Sequence, residues 1–184
     1  SESVTSIGEY AFSYCPKLTS ISVDENNQYY SSDSYGVLYN KNKTTVIQYP
    51  GGITETSYII PDGVTTIGSR GFAYNDSLRS ITIPDSVKRI EYETFYWCTS
   101  LTSITIPDSV TIIYDRAFIG CSGLTSITIP ASVTDIGEEA FSYCSSLTSI
   151  KYRGTEAQWE DIDKGSFWKY GAGAFTVTYN YTGE

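Results

Sequence analysis

Chemically reactive side chains are few in this sequence, and none of them is a histidine. Without histidine the chain cannot build a Ser-His-Asp triad, a Cys-His pair or most kinds of zinc site. An inward-facing thiol behaves as a small apolar group. We therefore predict that the cysteines are free core residues, and that the chain holds no metal and no cofactor. The four cysteines are Cys15, Cys98, Cys121 and Cys144.

Carboxylates that might serve as an acid–base pair share one position of a sequence repeat with arginines. Alternating charges at one position of stacked repeats predict a ladder of ion pairs, not the paired carboxylates of a glycosidase. The acidic segment 24–27 lacks the glycine and the distal glutamate of an EF-hand loop. We therefore predict that the chain is not an enzyme. The alternating position holds Arg70, Glu93, Arg116 and Glu139.

Aromatic residues are the other group able to contact a partner. A helical turn would place the repeated Phe and Cys inward, so that the residue before Cys points outward. Flat rings bury a large area at a small cost in entropy, which favours a partner-binding edge. The alternative is that the rings pack on one another and shield the coils. The candidate edge comprises Tyr14, Tyr74, Trp97 and Tyr143, with Tyr92, Tyr96 and Tyr114 nearby and a gap at Gly120 that predicts a shallow pocket.

The formal net charge of −9 excludes one class of partner. Nucleic-acid binding needs a basic face that replaces the counterions of phosphate, and the scattered Lys and Arg residues provide none. No apolar run approaches the roughly 20 residues of a membrane span, so we expect no direct membrane insertion. The chain starts inside a repeat without an initiator Met, from which we expect it to be part of a longer protein.

The elements that must position these residues follow from an internal repeat of 23 residues. Apolar residues recur at this spacing, as in the series Val64, Val87, Val110 and Val133. One copy alone cannot bury enough surface to fold, whereas stacked copies share their cores. The Leu-Thr-Ser-Ile-Thr-Ile-Pro segment alternates at strand period and ends at proline. We predict a right-handed solenoid whose parallel strands lie near 20–23, 80–83, 103–106, 126–129 and 149–152.

The repeated residues resemble the BspA-like family of bacterial leucine-rich-repeat surface proteins. Two copies read IPDSVTIIYDRAFIGCSGLTSIT and IPASVTDIGEEAFSYCSSLTSIK, and five copies match the pattern. The resemblance implies an α/β-type leucine-rich-repeat solenoid with short helical or irregular segments opposite the sheet and little regular helix. It also implies a secreted or wall-displayed protein of bacteria, of the kind involved in adhesion. Departures from the pattern occur at Gly71, Asn75, Glu91, Thr94 and Tyr114.

Two segments break the repeat. Residues 24–60 form an irregular, enlarged coil within a solenoid that spans 1–151, with strands predicted at 36–39, 44–49 and 57–60. Residues 152–184 are predicted to be a C-terminal cap, because the last copy of a solenoid needs cover for its apolar face. Thr155 and Gln158 match a capping box, and a strand begins at Phe175.

These patterns favour a non-catalytic binding or adhesion module, extracellular or on the bacterial cell surface, which recognises a protein or glycan partner. Two alternatives stay open. One is a structural spacer that displays neighbouring domains, and the other is a carbohydrate-binding module of a secreted polysaccharide-degrading protein. Co-planar exposed rings would favour the carbohydrate module, and rings collapsed against the coil would favour the spacer. We expect a monomer.

Overall fold

The computed structural model describes residues 1–8 and 10–183, which form a stacked solenoid of about six turns with almost no helix. The strands are short because each coil turns after a few residues. In chain order the elements are β1 (Tyr30–Ser32), β2 (Leu38–Asn40), β3 (Thr45–Gln48), β4 (Ser57–Ile59), β5 (Thr66–Ile67), β6 (Ser80–Thr82), β7 (Arg89–Ile90), β8 (Ser103–Thr105), β9 (Ile112–Ile113), β10 (Ser126–Ile129), β11 (Asp135–Ile136), β12 (Ser149–Tyr152), α1 (Glu156–Glu160), β13 (Asp163–Lys164) and β14 (Thr176–Thr178).

Two parallel ladders run along the solenoid in the register of the repeat. In the first ladder, Ser126 pairs with both Ser103 and Ser149, one repeat away on either side. The second ladder joins β7, β9, β11 and β13 in the same way. Four of the five predicted strands are therefore confirmed, at β6, β8, β10 and β12.

The fifth predicted strand, at 20–23, was wrong. This segment forms no strand, and the Ile21 N–H donates instead to the carbonyl of Gly36 at 2.9 Å. The cause is the inserted segment, which forms an antiparallel hairpin through β1, β2 and β3.

A column of aromatic rings fills the centre of the coils. The ring of Phe118 is stacked between those of Phe95 and Phe141, with centroids 5.1 and 5.2 Å away. Tyr49 takes the same place in the inserted coil and stacks on Phe72 at 5.0 Å. The inserted segment therefore closes as a short coil of the same solenoid. The full column is Tyr49, Phe72, Phe95, Phe118 and Phe141, with Trp168 edge-on at its end.

Buried hydrogen bonds fix the hairpin to this coil. The carboxylate of Asp33 accepts from the Tyr58 hydroxyl at 2.7 Å and from the N–H of Val37 at 2.9 Å. The hydroxyls of Tyr39 and Tyr58 are also bonded to each other. Their burial raises the pKa of Tyr39 to about 12. Because buried polar groups need partners, Asp33 holds the irregular coil in one conformation.

Residues 152–183 extend both ladders. The predicted capping box is confirmed, because the Thr155 side chain accepts from the N–H of Gln158 and the Gln158 side chain bonds back to the N–H of Thr155. Helix α1 buries Trp159, and β13 and β14 then pair with β11 and β12. Among residues 1–8 and 10–183, no helix has the length and apolar character needed to cross a membrane.

The three cysteines of the regular repeats are buried and free, as predicted, but the fourth prediction was wrong because Cys15 is exposed. Each buried thiol donates to the carbonyl of a core Phe in the preceding coil, as from Cys121 to Phe95 at 3.1 Å. Asn75 replaces one cysteine and donates instead to the carbonyl of Ile53. Cys15 lies in the first coil, whose core residues are only partly covered; Val4, for example, is 38% exposed.

Truncation of a central ring tests the column. We expect Phe118→Ala to lower the free energy of unfolding by about 3–5 kcal/mol, because a fully buried ring is lost from between two others. The matched control is Thr105→Ala on the exposed side of β8, with an expected change within about 0.5 kcal/mol. Equal denaturant midpoints for the two variants would contradict the packing described.

Thiol labelling tests the cysteine positions. Burial raises the pKa of the Cys98 and Cys144 thiols to about 12, so they remain protonated and shielded near neutral pH. We expect a thiol reagent at about pH 8 to label one cysteine, Cys15, in the folded protein and four after unfolding. Rapid labelling of a second thiol in the folded protein would show that the core is open.

Candidate functional site

The candidate site lies along the turns that carry the aromatic residues, and we call it the aromatic edge. These turns are the irregular segments that the sequence allowed as the alternative to short helical ones, and each contains two left-handed residues four positions apart. In one coil these are Glu93 and Trp97, at φ of 54° and 53°. Residues with a Cβ disfavour this conformation by about 1–2 kcal/mol. The same pair recurs as Tyr10 and Tyr14, Arg70 and Tyr74, Arg116 and Gly120, Glu139 and Tyr143, and Phe167 and Gly171.

Backbone hydrogen bonds between coils hold the left-handed residues in place. The N–H of Trp97 donates to the carbonyl of Ile119 at 2.8 Å, and the N–H of Tyr143 donates to Tyr170 at the same distance. The neighbouring coil therefore fixes the conformation that the isolated residue would avoid. The outward residue of each coil is thus positioned by the coil that follows it.

The ion-pair ladder predicted from the sequence is confirmed. Glu93 lies between two arginines: it is bonded to the Nε of Arg70, and a carboxylate oxygen lies 4.0 Å from the guanidinium of Arg116. Arg116 donates in turn to Glu139 at 2.6 Å, and this bond raises the pKa of Arg116 above its ordinary value. The Glu93 side chain is only 3% exposed. The ladder neutralises the charges beneath the aromatic edge and ties four coils together.

The rings of the candidate edge divide into two groups. Tyr14, Trp97 and Tyr143 are exposed, at 74%, 43% and 48%. The other four are half-buried, and two of them accept hydrogen bonds from arginines. The hydroxyl of Tyr92 accepts from Arg116, and that of Tyr114 accepts from Arg89. The half-buried rings are Tyr74, Tyr92, Tyr96 and Tyr114.

Neighbouring rings of the edge meet edge to face. Tyr14 and Tyr74 have their centroids 4.7 Å apart and their planes at 89°. Tyr143 meets Tyr170 at 5.6 Å and 88°. The rings therefore form no continuous co-planar surface, but they do stabilise the turns against one another.

Three ring positions that belong to this surface escape the sequence pattern. Tyr10 lies under the guanidinium of Arg70, with 4.2 Å from Cζ to the ring centroid. Phe167 and Tyr170 are 67% and 57% exposed and contact each other at the far end of the edge. In their own coils, Tyr10 and Phe167 occupy the left-handed position that Arg70 occupies in its coil. Aligning the first and last coils to the repeat would have found them, although the last coil is offset by the inserted helix α1.

The gap predicted at Gly120 is filled, which corrects the shallow pocket expected there. A Cβ built on Gly120 would lie 2.7–2.9 Å from three consecutive atoms of the Trp97 indole. The ring of Trp97 therefore crosses to the next coil and covers the glycine. The sequence gives no sign of this because Trp97 and Gly120 occupy the same position of different copies.

No metal centre accompanies the edge. Within the part of the chain that the structure describes, no three Cys, Asp or Glu side chains are grouped so as to hold a metal ion.

Comparison with known families places the fold. A family model described as "BspA type Leucine rich repeat region" matches residues 1–58 and 52–171 in six copies. The chain belongs to this BspA-type leucine-rich-repeat family. No curated protein gives a significant match.

Solved structures of bacterial leucine-rich-repeat proteins share the solenoid. A leucine-rich repeat protein from Eubacterium ventriosum is 31% identical over 90% of this chain and 47% of its own, with a TM-score of 0.79. A leucine rich cell surface protein from Faecalibacterium prausnitzii is 32% identical over 83% of this chain and 46% of its own, with a TM-score of 0.70. The pneumococcal vaccine antigen PcpA, at 21% identity over 96% of this chain and 54% of its own, has the same fold at a TM-score of 0.68. The chain spans about half the length of these relatives.

The ion-pair ladder of this BspA-type chain can be tested by removing its central charge. We expect Glu93→Gln to lower the free energy of unfolding by about 3–5 kcal/mol, because two arginines lose their buried partner. Arg153→Gln is the matched control, since it removes an exposed pair with Asp108, worth about 0–1 kcal/mol. Similar losses in the two variants, measured by urea unfolding, would mean that Glu93 is as well solvated as a surface residue.

Proposed function

We propose that this BspA-type chain is a recognition module of a secreted or surface-displayed bacterial protein, and that its partner docks on the aromatic edge. The observation that carries the proposal is the exposure of Tyr14, Trp97 and Tyr143 in left-handed conformation at the outermost position of their turns. A chain selected for stability alone would favour glycine or asparagine there. Strain retained at exposed aromatic residues is typical of a surface kept for binding.

The strand face offers less to a partner. Its outward side chains are mostly Ser and Thr, as at Ser103 and Thr105 of β8. Binding energy at interfaces is concentrated in Tyr, Trp and Arg, and these side chains lie on the aromatic edge. The edge also carries Arg116, whose side chain is 41% exposed. The strand face is therefore the poorer candidate.

One relative supports a location outside the cell. The structure from Faecalibacterium prausnitzii, at 32% identity, is named as a leucine rich cell surface protein. We extend that location to this chain as part of the proposal. We also propose that the module has no catalytic activity of its own, in keeping with the repeat fold and the use of Glu93 and Glu139 in ion pairs.

A binding comparison between two faces tests the proposal. The chain is applied to an array of immobilised secreted proteins and glycans, beside a Trp97→Ala/Tyr143→Ala variant and a strand-face control, Thr105→Ala/Thr125→Ala. Loss of two central aromatic anchors is expected to weaken binding at least about tenfold, with the control unchanged.

The opposite pattern, in which the control variant loses binding and the edge variant keeps it, would move the site to the strand face. Absence of binding to every array member would favour a structural spacer over a recognition module. Both variants are first compared with the wild type by urea unfolding, so that a loss of binding is not a loss of fold.

A further inference from the structure

One face of the Trp97 indole rests on Gly120 of the next coil. A Cβ on Gly120 would lie at nearly equal distances, 2.7, 2.8 and 2.9 Å, from Cδ2, Cε2 and Cγ of the indole. A point beside the ring, in its plane, cannot be almost equally far from these three bonded atoms. Only a point above or below the ring can. The glycine therefore lies under one face of the indole. Trp97 as a whole is 43% exposed, so a large part of the residue outside its contact with Gly120 meets solvent.

The Trp97 ring, which we call the platform, is held by its own backbone and by Gly120 of the next coil. The left-handed φ of 53° and the bond from the Trp97 N–H to the carbonyl of Ile119 fix the backbone. Gly120 itself has a φ of 72° and is buried, and it provides the flat seat that a side chain would remove. The ring is consequently pre-oriented, so a ligand that stacks on it does not have to order it.

We propose that the outer face of Trp97 is a stacking subsite for one pyranose ring of a neutral glycan. The proposal rests on the proposed function, because it names the partner class at the same edge. A pyranose presents a flat patch of C–H groups that matches an indole face, and its hydroxyls need polar neighbours. Arg116, in the coil of Gly120, supplies an exposed guanidinium that is bonded to the Tyr92 hydroxyl at 3.2 Å.

The surrounding rings limit the subsite to one sugar. Tyr96 has its centroid 6.5 Å from that of Trp97, and its plane is tilted by 48°. The two rings therefore neither extend one flat surface nor face each other as the walls of a groove. Proline-rich peptides bind in aromatic-lined grooves, so this open, single platform favours a sugar.

The negative charge of the chain favours neutral over anionic glycans. At a net charge of −9, the protein repels polymers that carry uronate or sulfate groups at low and moderate salt. The charge of the Arg116 guanidinium is already neutralised by Glu139 and Glu93, so this group can donate to a neutral hydroxyl but attracts an anionic sugar only weakly. A neutral hexose or pentose polymer is the class that the site admits.

Titration with defined oligosaccharides tests the subsite. The probes are neutral hexasaccharides of β-1,4-glucan, β-1,4-xylan, β-1,4-mannan and α-1,4-glucan, with an oligogalacturonate and a proline-rich peptide as comparators. Trp159 is only 5% exposed and Trp168 is half-buried, so changes in tryptophan emission report mainly on Trp97. We expect at least one neutral hexasaccharide to change the emission with a saturable curve and to give the same affinity by calorimetry.

Three variants of the subsite and one control locate the effect. Trp97→Ala and Gly120→Ala are both expected to weaken the neutral glycan at least about tenfold, the second because its methyl group displaces the ring. Thr105→Ala, on the exposed side of β8 and away from the aromatic edge, is expected to bind as the wild type does. Trp97→Phe is expected to keep part of the affinity, which separates loss of stacking from loss of fold.

The outcomes separate this proposal from the one on which it rests. No response to any neutral hexasaccharide, or an equal response in Trp97→Ala, overturns the glycan subsite. A response to the proline-rich peptide alone also overturns it, while leaving the aromatic edge as the docking surface. The proposed function fails separately, when the double variant of the array experiment binds as the wild type does.

Discussion

The stacking of one ring per coil is the interaction on which the rest of this structure depends. Each Phe of the column fills the centre of its own coil and also touches the rings above and below, at 5.0–5.5 Å between stacked centroids. This spacing is close to that of neighbouring strands, about 4.8 Å, so the core and the two ladders share one period. Side chains at equal repeat positions are thereby brought into contact, including the charges of the ion-pair ladder and the rings of the aromatic edge.

The column also holds the molecule where the sheets do not. Strand pairing is weakest at one junction: β5 and β6 on one side form no ladder with β7 or β8 on the other, where the N–H of Thr102 donates to the carbonyl of Arg79 at 3.0 Å. Phe72 and Phe95 stack across it, the N–H of Phe72 donates to the carbonyl of Thr94 at 3.0 Å, and Arg70 is bonded to Glu93. The rings and turns keep the coils in register at this junction. Trp97 follows two residues after Phe95, which stacks across it.

The features that depend on the repeat alone could be predicted from the sequence. The 23-residue spacing placed four parallel strands, the buried Phe residues and the alternating charges, because each follows from stacking identical positions. Features that depend on a break in the repeat could not. The hairpin through β1 and β3 displaces the segment at 20–23, and Cys15 is exposed because coil contacts cover its surroundings only in part.

The aromatic edge was only partly predictable for a different reason. Periodicity indicates which residues point outward, but it carries no information about the direction in which an outward ring leans. Trp97 leans onto Gly120 of the next coil, whereas Tyr74 leans edge-on against Tyr14 and Tyr96. The left-handed backbone was also hidden, because Glu, Arg, Tyr and Trp give no sequence signal for it.

The Trp97 indole rests on Gly120 by one face, and we infer that its other face is open to solvent. Acrylamide quenching of its fluorescence, in a folded variant with Trp159→Phe and Trp168→Phe, measures that directly. We expect a quenching constant roughly half that of free tryptophan amide, because a rigid ring with one accessible face meets the quencher from one side only. A constant near zero would mean that the ring is buried against its own coil, and a value equal to that of the free amide would mean that it does not rest on Gly120.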